Sequence, residues 1–182
     1  RNNRVAGLGT NGGAVYWNGT YCNISYTNFT GSSAQNNGGA LYSNADTTEL
    51  DYVNFTNNRA GNNGGAAWIK SDSSITNSNF INNNAANGGA IWADAGECKL
   101  NYVNFTSNHA NGDGGAMAIR GSSAEISNAK FNEDYAGDEG GAIYITTPNS
   151  RIEDSACEGT YAKNGGAIYW DGLTGTINNV TF

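Results

Sequence analysis

The chain of 182 residues sets 9 Lys and Arg against 16 Asp and Glu, a net charge of −7 with a pI near 4.5. So acidic a chain carries no basic stripe to track a phosphate backbone, which argues against nucleic acid as a partner. No apolar run approaches the roughly 20 residues of a membrane-spanning helix, so no membrane insertion is expected within this segment.

From Arg1 the chain enters a repeat directly, without an initiating Met or signal peptide, as a processed or excised chain would. A Gly-Gly-Ala triplet then recurs seven times, ending at Ala14, Ala40, Ala66, Ala90, Ala116, Ala142 and Ala167. A second column keeps the same period: Phe29, Phe55, Phe80, Phe105, Phe131, then Cys157 and Phe182. A third runs five residues upstream of it, through Ile24, Leu50, Ile75, Leu100, Ile126, Ile152 and Ile177. Three columns in phase define a repeat array of about 26 residues per unit.

Within a unit, Leu50-Asp51-Tyr52-Val53-Asn54-Phe55 places apolar residues at positions 0, +3 and +5. The last step is strand alternation, whereas the first breaks parity and predicts a bend. Asn77, Asn128, Asp154 and Asn179 fall in that bend, as residue types that tolerate left-handed backbone angles. A polar stretch follows, then a Gly-Gly turn, then a further strand such as Ala90-Ile-Trp-Ala93. Each unit is therefore expected to hold about three short strands, pairing in parallel with the next unit about 4.8 Å away. The fold class predicted is all-β, a right-handed parallel β-helix (solenoid) of about seven coils forming one domain over residues 1–182. Asn28, Asn54, Asn79 and Asn104 share a column in which stacked amides can bond along the rod.

Two motifs, Gly38-Gly39-Ala40-Leu41, Gly88-Gly89-Ala90-Ile91 and Gly165-Gly166-Ala167-Ile168 for one, Phe55…Asn58, Phe80…Asn83 and Phe105…Asn108 for the other, repeat in phase along the chain. They resemble the repeats of polymorphic outer-membrane proteins, known from chlamydial autotransporters, and of adhesin-like surface proteins. Met117, Asp134 and the Cys157…Thr160 unit depart from the pattern. The resemblance implies an extracellular, cell-surface protein of adhesive type, with host or neighbouring-cell glycans or proteins as partners and no catalytic residues.

The residues themselves offer several candidate sites. Two positions after each Gly-Gly-Ala alanine stands an aromatic: Tyr16, Tyr42, Trp68, Trp92, Tyr144 and Tyr169, interrupted at Ala118. Facing outward, this column is a stripe of rings suited to sugar or protein partners. With the opposite parity it is a packing stack, and apolar neighbours on both sides leave the choice open. Asp134, Asp138 and Glu139, with Asp113 one coil away, make a candidate Ca²⁺ site through oxygen ligands, or a solvated acidic turn. No other cofactor is expected.

His109 shares a column with Arg59, Asn84 and Tyr135, close in sequence register to Asp134. Lys99, Glu125 and Arg151 stack in consecutive coils, as do Lys70, Asp94 and Arg120, and both series read as structural charge ladders. Asn18, Asn23, Asn28, Asn54, Asn104 and Asn179 begin Asn-x-Ser/Thr sequons and are glycosylation candidates.

Cys22 and Cys98 share a column three coils apart, about 14 Å at the coil rise, beyond disulfide reach, and Cys157 replaces a core Phe. No disulfide is predicted. The leading reading is a non-catalytic adhesin-like surface solenoid. The alternatives are a subunit stacking head to tail into an extracellular filament or sheath, since Phe182 followed by Arg1-Asn2-Asn3-Arg4-Val5-Ala6 approximates an internal Phe-Thr-Asn-Asn-Arg-Ala run, and a polysaccharide-degrading enzyme acting through Asp134 or Glu139.

Overall fold

A computed structural model describes residues 10–182. They form a parallel β-solenoid without helices. A seven-stranded sheet runs from Val15–Trp17 to Ile168–Trp170, so its seven rows enclose six full turns. No helix among the described residues is long and apolar enough to cross a membrane.

The first five coils hold four strands each rather than three. In one coil they are Leu41–Ser43, Thr47–Asp51, Asn54–Thr56 and Arg59–Ala60. The extra element is the two-residue strand at the alanine of the polar stretch, too short for its alternation to stand out in the sequence. It forms a five-stranded sheet of its own, while the second and third strands of each coil join a twelve-stranded sheet through the long strand Ser150–Glu158. The predicted bend lies between them. Asn77, Asn128, Asp154 and Asn179 all have φ between 48° and 51° there, and Tyr26, Tyr52 and Tyr102 share the column with φ of 47°, 52° and 55°.

Pairing is parallel and keeps each column in register: Leu50 opposes Ile75, Ile75 opposes Leu100, and Leu100 opposes Ile126. Like side chains therefore meet at the coil repeat. The Phe29, Phe55, Phe80, Phe105 and Phe131 rings stack at 4.8–5.0 Å, within 13° of parallel, in the centre of the core. Offset stacking at this spacing is favourable, and burial of so many large apolar groups supplies the main driving force.

The second half of the Phe-x-x-Asn motif turns inward. Asn58, Asn83 and Asn108 are buried. Asn83 Oδ1 accepts from both the backbone N and Nδ2 of Asn58, each at 3.0 Å, and Asn83 Nδ2 donates to the Phe55 carbonyl at 3.1 Å. The same three bonds recur one coil on, where Asn108 Oδ1 accepts from Asn83 and Asn108 Nδ2 donates to Phe80 O at 3.0 Å. This amide ladder satisfies backbone N–H groups that the left-handed turn at Asn57 and Asn82 takes out of the sheet.

Asp134 occupies the next rung. Its Oδ1 accepts from the Asn108 N and Nδ2 at 2.8 and 2.9 Å, while Oδ2 is buried without a partner. The ladder register sets Oδ2 where each asparagine carries the NH₂ that donates to a phenylalanine carbonyl, here that of Phe105. Only a protonated carboxyl can donate there. Burial, outweighing the Asn108 N–H groups, accordingly lifts this carboxyl to about 7.

The Gly-Gly turn is dictated by close approach. Gly88 has φ of 57°, and a Cβ at Gly89 would stand 2.0 Å from the Gly115 carbonyl oxygen of the next coil. At Gly166, the same motif position in the final row, the nearest atom to an added Cβ is at 3.9 Å.

Two stability measurements follow. Gly89→Ala is expected to lower the urea-unfolding free energy by about 1–3 kcal/mol, whereas Gly166→Ala is expected to be near neutral; equal midpoints would refute the close-approach account. The raised Asp134 value means that the folded state holds a proton which the unfolded state releases near 3.8. Its contribution is therefore full below 3.8, declines as pH rises, and is lost above about pH 7. Asp134→Asn should flatten that decline and raise the midpoint at pH 8; a variant midpoint with unchanged pH dependence would refute the assignment.

Candidate functional site

The aromatic column lies on the outer side of the seven-stranded sheet. Leu41, Ile91, Met117 and Ile143, one position earlier, belong to the core, and so do Ile69, Ala93, Ile119 and Ile145, one position later. Trp68, Trp92 and Ala118 form a separate apolar cluster with Tyr42 and Tyr144 against it. The rings stack at 4.9 Å (Tyr16–Tyr42), 4.3 Å (Tyr42–Trp68) and 5.6 Å (Tyr144–Tyr169).

Outward orientation does not make the whole stripe accessible. Trp68 and Trp92 are each only 8% exposed. Tyr42 covers one face of Trp68, and the Arg120 guanidinium sits 5.6 Å from the Trp92 ring centre, beside the gap left by Ala118. Such a cation over an indole is worth about 0.5–1 kcal/mol at an exposed site and more when desolvated. Trp92 Nε1 donates to Asp94 Oδ1 at 3.0 Å. The rings open to a partner are Tyr16, which is exposed, and the partly exposed Tyr42, Tyr144 and Tyr169.

The acidic residues separate into two environments. Asp134 points inward into the amide ladder, apart from the others, because the Phe-x-x-Asn column is a buried one. Asp138 accepts from Lys163 Nζ at 2.6 Å, and Glu139 faces Asn164 and Tyr169. Asp113 stacks in register below Glu139; partial burial first, then the nearby Glu139 and Asp138 charges, raises its carboxyl above the usual range. No three His, Cys, Asp or Glu residues among the described residues gather to hold a metal ion. The four-carboxylate grouping read from the sequence is thus not assembled, and Asp134 and Glu139 do not form a facing acid–base pair. His109 stacks on Tyr135 at 4.9 Å, with Nδ1 2.9 Å from Asn84 Nδ2.

Among the described residues neither charge column forms a continuous ladder of ion pairs between coils. Lys99 lies 3.8 Å from Glu125 in the next coil but 2.9 Å from Glu97 on its own strand, and Arg151 pairs along its strand with Glu153. Lys70, Asp94 and Arg120 form no ion pair with one another among the described residues, since Asp94 and Arg120 both serve Trp92.

Of the sequons, Asn18, Asn23, Asn28, Asn104 and Asn179 are exposed and Asn54 is partly exposed. Asn28, Asn54, Asn79 and Asn104 bond in series, Nδ2 to Oδ1, at 2.8–2.9 Å. The head-to-tail junction envisaged through Arg1–Ala6 lies outside the described residues.

A second surface escaped sequence reading. At the bend, Tyr26, Tyr52 and Tyr102 are 78%, 49% and 59% exposed, and the Tyr26 and Tyr52 rings stack at 5.1 Å. They border a groove whose other wall is the outer asparagine ladder. One stretch, of 320 Å³, is lined by Tyr26, Asn28, Tyr52, Asn54, Asn77 and Asn79; beyond it a second cavity, of 480 Å³, runs from Tyr102 to Thr181, with Lys130, Ala156 and Thr181 in place of the asparagines. The signal was present in the sequence as Tyr26, Tyr52 and Tyr102 sharing one column with Asn77, Asn128 and Asn179, but residue type alone does not say that the bend faces outward.

Residues 52–70 match the family model of the Chlamydia polymorphic membrane protein repeat. They span one Phe-x-x-Asn and one Gly-Gly-Ala motif, and so one turn of the inner amide ladder together with the tight turn that follows it. No curated protein and no solved structure matches the chain.

Cys22, Cys98 and Cys157 are free and buried. Burial pushes the Cys98 thiol up to about 11 and the Cys157 thiol up to about 12, the latter also through Asp134. All three should therefore resist a thiol reagent at pH 8 in the native protein and react together in denaturant; rapid native labelling of Cys98 or Cys157 would contradict this burial.

Proposed function

We propose that this chain is a non-catalytic, adhesin-like extracellular segment whose long outer faces bind glycans or proteins of another cell. The observation that carries the reading is the aromatic column held outside the core, ending in accessible rings at Tyr16, Tyr42, Tyr144 and Tyr169. The match to the polymorphic membrane protein repeat supports a cell-surface setting. Chemistry by a carboxylate pair has no support from the arrangement, because Asp134 is an internal rung and Asp138 is paired with Lys163.

A stacked wall suits adhesion for a physical reason. Its rings are already fixed by their neighbours, so little side-chain freedom is lost when a partner covers them. Tyrosine adds a hydroxyl to an apolar face, which fits both sugars and protein surfaces.

Fluorescently labelled protein should bind cell surfaces saturably, and Tyr16→Ala combined with Tyr42→Ala should weaken that binding about tenfold, a loss of about 1.4 kcal/mol, with an unchanged circular-dichroism spectrum. Non-saturable binding, or a double variant that binds as the parent does, would overturn the reading.

A further inference from the structure

Seven residues occupy the outward bend column, and they divide by chemistry. Asn77, Asn128 and Asn179 turn their amides back onto the coil before, donating to Asp51, Asn101 and Asp154 at 2.9, 2.9 and 2.6 Å. Tyr26, Tyr52 and Tyr102 have no such bond to make, yet hold the same left-handed backbone. A bulky residue there costs on the order of 1–2 kcal/mol, while Asn tolerates the conformation. The rings recover little by packing, since each is at least half exposed or nearly so, and only Tyr26 and Tyr52 touch. A strained tyrosine kept where asparagine fits, with its ring exposed, is the observation from which a binding surface is inferred.

The opposite wall is polar, uncharged and rigid. Each inner rung of the ladder, such as Asn54, uses one N–H toward Asn28 and one oxygen lone pair toward Asn79. The second N–H and second lone pair of each amide remain for solvent or ligand. One donor and one acceptor therefore recur at every coil, about 4.8 Å apart. That is the demand of a sugar hydroxyl, and the rise is close to the length of one pyranose in an extended chain. No charged side chain lines the stretch from Tyr26 to Asn79; Lys130 and Asp154 line the next cavity, which begins at Tyr102. The neighbouring Asp51 carboxylate is already taken by Thr76 and Asn77.

An added peptide strand does not fit. Backbone N–H groups along both walls are already engaged along the axis, Tyr52 with Thr76 O, Asn54 with Thr27 O and Asn79 with Val53 O. Among the described residues no free sheet edge faces the groove for strand addition.

We propose that the groove between Tyr26, Tyr52 and Tyr102 and the Asn28–Asn54–Asn79–Asn104 ladder binds a linear, uncharged polysaccharide lying along the solenoid axis. The site is on a different face from the aromatic stripe and deepens the adhesive reading, on which its biological setting rests. The stacked Tyr26 and Tyr52 rings and, two coils beyond Tyr52, Tyr102 would cover sugar faces while the ladder reads the hydroxyls beside them.

Affinity electrophoresis through gels containing neutral β-glucan, xylan or galactomannan, with alginate as an acidic control, tests this. The parent should be retarded by at least one neutral polymer and not by alginate. Tyr52→Asn with Tyr102→Asn should weaken that retardation at least tenfold while the thermal midpoint holds or rises, because the strain is relieved. Tyr161→Ala, which removes an exposed ring beside the five-stranded sheet, should leave it unchanged. No retardation by any neutral polymer would overturn the proposal, as would a Tyr→Asn double variant that is less stable but equally retarded. Intact-mass detection of glycan on Asn28, Asn54 or Asn104, filling the groove covalently, would also overturn it. Loss through the Tyr16 and Tyr42 variant alone would reject this groove and leave the adhesive reading standing.

Discussion

In-register parallel stacking is the constraint from which the other features of this molecule descend. Because each coil pairs with the next at the same residue position, every side chain meets its own column rather than a varied set of neighbours. Columns that stack well are thereby selected together: Phe rings in the core, amides in two ladders, tyrosine and tryptophan rings outside. A residue that fits one rung fits all of them, and one that does not disturbs two interfaces at once. Asp134 is the clearest such case, a carboxyl in an amide column whose burial raises its affinity for a proton and whose Oδ2 has no partner.

Much of this was legible in the sequence because a repeat states its register openly. The Gly-Gly-Ala, Ile/Leu and Phe columns gave the solenoid, and the parity break between Leu50 and Val53 gave the bend. Less legible was which polar column faces in. Asn58 and Asn54 stand four residues apart in similar surroundings, yet one is buried in a network and the other forms an outer ladder. The left-handed residue at Asn57 sets the inward direction, and nothing in residue type alone marks it. The same uncertainty made Asp134 read as a surface carboxylate beside Asp138.

The candidate binding faces were only half legible for a related reason. Parity could not be decided along the sheet carrying Trp68 and Trp92, since the residues on either side of it are apolar too. The resolved arrangement is an outer wall whose centre is sealed by its own stacking and by Arg120, with accessible rings toward its two ends. The bend tyrosines were hidden differently. Tyrosine is an unexpected occupant of a left-handed position, so pattern reading passed over it in favour of the asparagines. Both surfaces arise from one device: axial stacking fixes side chains before any partner arrives.

The register itself is the claim on which all of this stands, and engineered disulfides test it most directly. Thr56 and Ile81 are paired across adjacent coils, and Ile81 is paired with Thr106 in turn. Thr56→Cys with Ile81→Cys brings two Cα atoms to about 4.8 Å, within disulfide range. Thr56→Cys with Thr106→Cys leaves them two coils apart, about 9.6 Å. Mild oxidation followed by non-reducing peptide mapping should find the first bridge and not the second. A bridge in the second variant, or thiols left free at positions 56 and 81 in the first, would contradict the stacked register.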